Sequence, residues 1–476
     1  MDIFLDIKTA FIQEFILCGF IIFNIIASLF FGKNFYKFAK WLAILAIVLA
    51  MGVSPFMPFN YSGFKDSFVV NIYTLFFKNL ILITSFFVVL LSRNMIKQKR
   101  NKAFEYFALI LTATVGAMCL VSANDFLVMF VAMEILGVAS YFLTAFSKNY
   151  ESKEAGFKYL VMGSVATGVF LFGVSYIYGF TNFLNFTMIN NFYLQENPAL
   201  VFTVACILVA SGLLFKIGAI PFANWIPDIY EGTSYPVGAF LSLIPKIAGF
   251  AILGRLLVFI FSFSPILKII LATLAVISIG YGSLGALRQT NIKRLYGYSS
   301  IAQSGFVLLG ISMLSVYSLS TVLFYLFVYV FMNIGIWTAA ITFNTSFSSD
   351  MILDYKGLLY NRPYYAIAFT ICLISLAGLP PTSGFLAKLY LFSAVARSGI
   401  AFLPALVFAL VFAVVGLFFY FNLVKVLFEK TSNPPNIDTS IISPKFILYA
   451  CALITVLLCF FAEKIIQLCQ LAAYYI

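Results

Sequence analysis

The sequence predicts an all-α polytopic membrane protein with about fourteen transmembrane helices, and three observations carry that prediction. Hydrophobic residues make up 63% of the 476-residue chain and charged residues only 10%. Mean hydropathy is +1.04, whereas soluble domains carry about 25% charged residues. Apolar runs long enough to cross a bilayer recur along the whole chain, separated by short polar punctuation. The basic excess, 29 Lys and Arg against 17 Asp and Glu, sits mostly in alternate loops. That is the signature of membrane topology and not a nucleic-acid footprint.

In order, the spans are expected at 10–31, 40–58, 69–91, 104–121, 123–145, 155–179, 199–231, 235–261, 265–286, 296–314, 317–343, 363–397, 400–428 and 444–468. The first has acidic flanks (Asp2, Asp6) and no basic leader, so it reads as an uncleaved anchor. The connections are short and leave no room for a soluble domain. The seventh and twelfth spans are too long for one crossing and carry internal breakers.

Basic residues crowd the loops after odd-numbered spans: Lys33, Lys37, Lys40; Arg93, Lys97, Lys99, Arg100, Lys102; Lys148, Lys153; Arg288, Lys293, Arg294; Lys356, Arg362; and Lys425, Lys430, Lys445. Loops after even-numbered spans hold only Lys65, Arg255, Lys268 and Arg397. The positive-inside rule places the odd loops in the cytoplasm and both termini outside.

Composition also excludes chemistry. Histidine is absent, which rules out a Ser-His-Asp triad, His-ligated haem and His-based metal sites. The seven cysteines lie inside apolar runs with no C-x-x-C spacing, so no iron–sulfur or zinc motif is legible. Ionisable work must fall to Lys, Arg, Asp, Glu, Tyr or Cys.

The seventh span reads LLFKIGAIPFANWIPDIYEG and the twelfth LISLAGLPPTSGFLAKLYLF. Each has Gly-x-x-Pro at its centre, Gly218 with Pro221 and Gly378 with Pro381, which predicts an interrupted helix. Within a membrane, freed backbone groups are tolerated only where they face protein or a water-filled cavity. Interrupted helices in corresponding places mark an ion or substrate site in transporters. The two are five spans apart, an odd number, so the second unit is expected to be inverted relative to the first.

Buried charges give the candidate site. Glu134 lies mid-span in the fifth helix, and Lys158 early in the sixth, where an ion pair with Glu134 is expected because an isolated intramembrane charge is costly. Lys216 directly precedes the first break, and Lys246 sits midway along the eighth span beside Pro245. Lys388 lies seven residues beyond Pro381, while the position matching Lys216 holds Leu376. Burial disfavours a charged amine, which suits such lysines to passing protons. Lys78, about nine residues into the third span, is expected to pack or snorkel. Gly280, Gly282 and Gly285 satisfy G-x-G-x-x-G but lie in a membrane helix, where small residues serve close helix packing and not nucleotide binding.

The segments FKIGAIPFANWIPDIYEG, PVGAFLSLIPKIAGF, LRQTNIKRLYGYSSIAQSGF and LAGLPPTSGFLAK, with the fifth-span glutamate and EAGFKYLVMGSVATG, resemble subunit N of bacterial respiratory complex I, the NADH-quinone oxidoreductase. The resemblance covers about residues 100 to 400 and places the chain with the antiporter-like, proton-translocating subunits. It implies a three-helix segment at 1–103, a five-helix repeat at 104–261, a second, inverted five-helix repeat at 262–430 and a C-terminal span at 431–476. It also implies that Glu134, Lys158, Lys216, Lys246 and Lys388 line the proton path. Protons would enter from the cytoplasm near Lys216, with Glu134 and Lys158 tuning it, pass laterally through Lys246 to Lys388, and leave outward. Quinone, flavin and iron–sulfur clusters would belong to other subunits, with no cofactor on this chain. The partners would be lipid and other membrane subunits, further antiporter-like ones among them, in a bacterial inner membrane with both termini periplasmic. Two usual histidines are replaced, by Ala223 and Gln303, so water, Tyr or Gln hydrogen bonds would have to bridge those points. Ser234 and Tyr235, ahead of Pro236, stand in place of the usual P-T. The alternatives are a subunit of a cation/proton antiporter or membrane-bound hydrogenase, which share this module, and a non-conducting scaffold.

Overall fold

The computed structural model describes residues 9–31, 35–194, 200–347, 349–431 and 442–476; Asp2, Asp6, Lys8 and Lys33 lie outside that set. Its principal helices are α1 (Ile12–Phe30), α2 (Tyr36–Val53), α3 (Ile72–Leu91), α4 (Ala103–Ser122), α5 (Phe126–Thr144), α6 (Tyr150–Thr181), α7 (Leu200–Ile217), α8 (Trp225–Gly232), α9 (Tyr235–Phe259), α10 (Pro265–Leu287), α11 (Ile292–Ile311), α12 (Val316–Phe347), α13 (Pro363–Ala377), α14 (Ser383–Arg397), α15 (Leu403–Phe428), α16 (Ile442–Phe460) and α17 (Ala462–Tyr474). A single small hairpin, pairing Asn60–Gly63 with Phe68–Asn71, is the one sheet among the described residues.

Helix starts follow local chemistry. Asn71 and Thr74 form a capping box for α3, Asp125 accepts from the Leu127 N–H at 2.7 Å to open α5, and Asn291 accepts from Lys293 N at 2.8 Å to open α11. Each side chain satisfies a backbone donor that a helix's first turn leaves without a partner.

Among the described residues, eleven helices are long and apolar enough to span a bilayer, or twelve if the pair α16 and α17, bent by 84°, is one span. The expected fourteen are therefore not reproduced as fourteen full-length apolar helices. The tenth expected stretch is α11, which opens on Lys293 and Arg294 and carries Ser299, Ser300, Gln303 and Ser304, too polar to qualify. The twelfth is divided into α13 and α14, each of 15 residues. Arg255 needs a different correction. It belongs to no loop but to the interior of α9, 1% exposed, where its guanidinium donates to the Ala123 carbonyl at 2.7 Å and Asn124 Oδ1 at 2.9 Å.

The chain divides into two compact units. The first holds Met1–Ile217, Ile244–Ile270 and Tyr474–Ile476; in it α4 packs along α5, α6 along α7, and α1 against α4. The second holds Gly218–Leu243 and Leu271–Ala473; in it α12 packs against α14 and α16, and α8 against α11. Glycines permit close approaches in the second unit. A Cβ on Gly282 would lie 2.5 Å from the Ala302 nitrogen, and one on Gly285 2.3 Å from the Tyr298 ring. The G-x-G-x-x-G match is thus a seam between α10 and α11, as expected for small residues in membrane helices.

Candidate functional site

Both interruptions are present. After α7, Gly218 adopts φ 72° and the Ile220–Pro221 bond is cis; after α13, Gly378 adopts φ 84° and the Pro380–Pro381 bond is cis. Positive φ of this size is where glycine avoids the Cβ clash that other residues meet.

In the first unit, Lys216 occupies the last turn of α7, 2% exposed. Its Nζ lies 3.4 Å from the Met133 carbonyl on α5 and 5.7 Å from the Tyr141 ring centroid. Gly137 leaves room for it, since a Cβ there would stand 2.8 Å from that Nζ. Glu134, also on α5, directly follows Met133, whose carbonyl the Lys216 amine approaches. Its Oε1 accepts from Thr167 Oγ1 on α6 at 2.8 Å. α5 thus contributes a backbone carbonyl to the Lys216 amine of α7 and the Glu134 carboxylate to Thr167 of α6.

Lys158 falls elsewhere. Its ion pair is with Glu154, one turn earlier on α6, at 2.7 Å, and both side chains are nearly half exposed. The sequence had this partner in plain view, because Glu154 and Lys158 stand four apart in E-A-G-F-K, the spacing that brings helix side chains together. Lys246, 2% exposed, lies on α9 three residues before Gly249, whose absent Cβ would stand 2.6 Å from Ile217 Cγ2. This stretch of α9 therefore packs against the end of α7.

In the second unit, Lys388 turns back onto the break. Its Nζ donates to the Leu376 and Ala377 carbonyls at 2.9 and 3.0 Å and stands 5.0 Å from the Phe306 ring centroid. In a continuous helix those carbonyls would accept from residues 380 and 381, but both are proline and have no N–H. The amine takes the vacant place, and the negative end of the α13 dipole favours a cation there. Lys388 and Gly378 also line a cavity of about 330 Å³ bounded by Phe385, Leu410 and Val414. Leu376, the position matching Lys216, contributes a carbonyl where the first break contributes a side chain.

Gln303 stands beside this amine, and Ala223 is fully buried. The Gln303 amide nitrogen donates to the Leu376 carbonyl at 3.1 Å and the Tyr420 hydroxyl at 3.2 Å, and its oxygen accepts from Tyr325.

Two features went unanticipated. Lys78 neither snorkels nor merely packs: it forms a 2.8 Å ion pair with Glu14 of α1, both side chains 0% exposed. The signal was an unmatched acid in the first span and an unmatched base in the third. Lys293 and Arg294, expected in a loop, lie in the first turn of α11 and pair with Asp350 at 2.9 Å and with Asp228 and Glu231 at 2.8 and 2.7 Å.

Residues 123–413 match the model of the NADH:quinone oxidoreductase/Mrp antiporter transmembrane family. This chain belongs to that family. The matched region of this NADH:quinone oxidoreductase/Mrp antiporter family member contains both breaks, Glu134, Lys158, Lys216, Lys246 and Lys388, and leaves out Glu14 and Lys78. The NAD(P)H-quinone oxidoreductase subunit 2 of Mesostigma viride chloroplasts is 36% identical over 438 residues, 90% of this chain and 86% of that protein. A chain of respiratory complex I from Thermus thermophilus superposes with a TM-score of 0.81 at 27% identity, covering 96% of this chain and 98% of that one. A chain of the Mrp complex from Dietzia sp. has a TM-score of 0.82 at 18% identity, covering 97% and 96%, a likeness of fold.

Proposed function

We propose that this chain is a proton-translocating membrane subunit of an NADH-quinone oxidoreductase of the complex I type, coupling quinone reduction in other subunits to proton movement through its own buried ions. The observation that carries the reading is the recurrence of one device: an interrupted helix whose first half ends beside a buried lysine amine, at Lys216 and again at Lys388. The family model spans both oxidoreductase and Mrp antiporter members, but relatives named as NAD(P)H-quinone oxidoreductase subunits, at 36% identity against 18% for the Mrp chain, favour complex I over a cation/proton antiporter.

In this reading Lys216 takes a proton from the cytoplasmic side, Glu134 sets the electrostatic cost of its charge, and Lys246 and Lys388 complete the path outward. Lys158, held by Glu154, contributes its charge from the α6 surface. The chain carries no redox centre; flavin, iron–sulfur and quinone chemistry sit on partner subunits. Both termini face the outside of a bacterial plasma membrane, and the inverted repeats run over 104–261 and 262–430, with 1–103 and 431–476 flanking them.

The test is Lys216→Arg in the whole complex, reconstituted in proteoliposomes. Arginine keeps the charge and approximate length but does not release a proton. A relay predicts loss of most translocation per quinone reduced, much as in Lys216→Ala. Full pumping by an assembled arginine variant would overturn the relay and favour a scaffold.

A further inference from the structure

We propose that Gln303 is a positioning residue for Lys388, acting through the Leu376 carbonyl that the two side chains share. The inference rests on the reading of Lys388 as a proton-carrying amine. Three observations carry it. First, Pro380 and Pro381 strip the Leu376 and Ala377 carbonyls of their helical donors, and side chains replace them: Lys388 on both, Gln303 on Leu376. A carbonyl has two lone pairs, so Leu376 accepts both donors at once. Second, the Gln303 amide cannot turn. Its two N–H groups are committed to Leu376 and Tyr420, its oxygen accepts from Tyr325, and Tyr420 is itself bonded to Ser299. Third, the cluster is buried: Gln303, Tyr325, Tyr420 and Leu376 are all at most 3% exposed.

An amine that gains and loses a proton must change its hydrogen bonds, and a buried carbonyl left without a donor opposes that change. Gln303 keeps Leu376 satisfied whatever Lys388 does, so only the Ala377 carbonyl has to be released when the amine moves toward the adjoining cavity. It also holds that carbonyl where the returning amine meets it. A glutamine suits this task because it donates and accepts at the same time without titrating. It is a fixed bracket and not a proton carrier.

The experiment measures protons moved per quinone reduced, and quinone turnover, in proteoliposomes of the whole complex. Gln303→Leu keeps the bulk but removes every hydrogen bond. Translocation is expected to fall roughly tenfold, the equivalent of about one hydrogen bond. Gln303→His can again donate to Leu376 and accept from Tyr325, and is expected to restore pumping to within about twofold, a rescue that a purely space-filling role would not predict. If Gln303→Leu does not assemble, Tyr325→Phe tests the same bracket by freeing the amide, and a partial loss is expected. Normal pumping by an assembled Gln303→Leu, or by Tyr325→Phe, or failure of the histidine to rescue, overturns the inference. Lys388→Ala is run alongside. If it abolishes pumping while Gln303→Leu does not, only the bracket falls; if it pumps normally, the reading of Lys388 itself falls.

Discussion

Substituting Glu14 alone or Lys78 alone should damage the first unit far more than substituting both. The two charges lie 2.8 Å apart with no exposed surface. At an effective dielectric of 20 that separation corresponds to about 6 kcal/mol of attraction, which offsets the desolvation of both ions. The Phe68 ring, 4.9 Å from the Lys78 Nζ, adds a weaker contact that does not replace a carboxylate. Glu14→Gln or Lys78→Met leaves one uncompensated buried charge, at a cost of about 3–5 kcal/mol. The double substitution removes both charges and is expected to cost far less than the sum, because well-packed neutral replacements for a buried pair are often nearly neutral. Gln13, which donates to the Ala50 carbonyl at 3.1 Å, still ties α1 to α2 in every variant. Hydrogen–deuterium exchange of α1 and α3 peptides in the intact complex reads the local opening free energy. Each single variant should exchange roughly a hundred- to a few-thousand-fold faster and the double variant much less so. Single variants within about tenfold of the parent, or a double variant no better than the worse single, would refute the argument that the pair is held by mutual compensation.

Three further outcomes follow from particular contacts. Gly137→Ala adds a methyl 2.8 Å from the Lys216 Nζ, a flexible side-chain end; the helix should gain up to about 1 kcal/mol in propensity while proton uptake per quinone falls, and unchanged uptake would mean that the amine's place near Met133 is unimportant. Gly282→Ala puts its methyl 2.5 Å from backbone, which cannot yield as a side chain can, so a loss of about 1–3 kcal/mol is expected in thermal denaturation of the complex. Reporter fusions after Lys99 and Lys148 should read cytoplasm and one at the C-terminus outside; a cytoplasmic C-terminus would remove the geometric basis for inverted repeats.

By itself the sequence determined the solvent, the class of fold and the two interruptions. Composition and run length are local properties, and Gly218 with Pro221 or Gly378 with Pro381 disrupts a helix wherever the helix is placed. It also singled out buried ions, since a charge inside an apolar run is conspicuous without any knowledge of its neighbours. What it could not determine was which ion meets which. Helices in lipid are apolar on every side, so the spacing of their apolar residues does not reveal which face turns inward. Partnership then depends on helix rotation and register, set by contacts such as Gly282 on Ala302 that are non-local in sequence. For that reason Lys78 found Glu14 on another helix and Arg255 turned from a loop residue into a buried clamp on Ala123 and Asn124, whereas the Glu154–Lys158 pair, four apart on one helix, was legible from spacing alone. Gln303 shows the same division: its letter in the sequence marked only a missing histidine, and the packing of α11 beside α13, α12 and α15 gave its amide a carbonyl to hold.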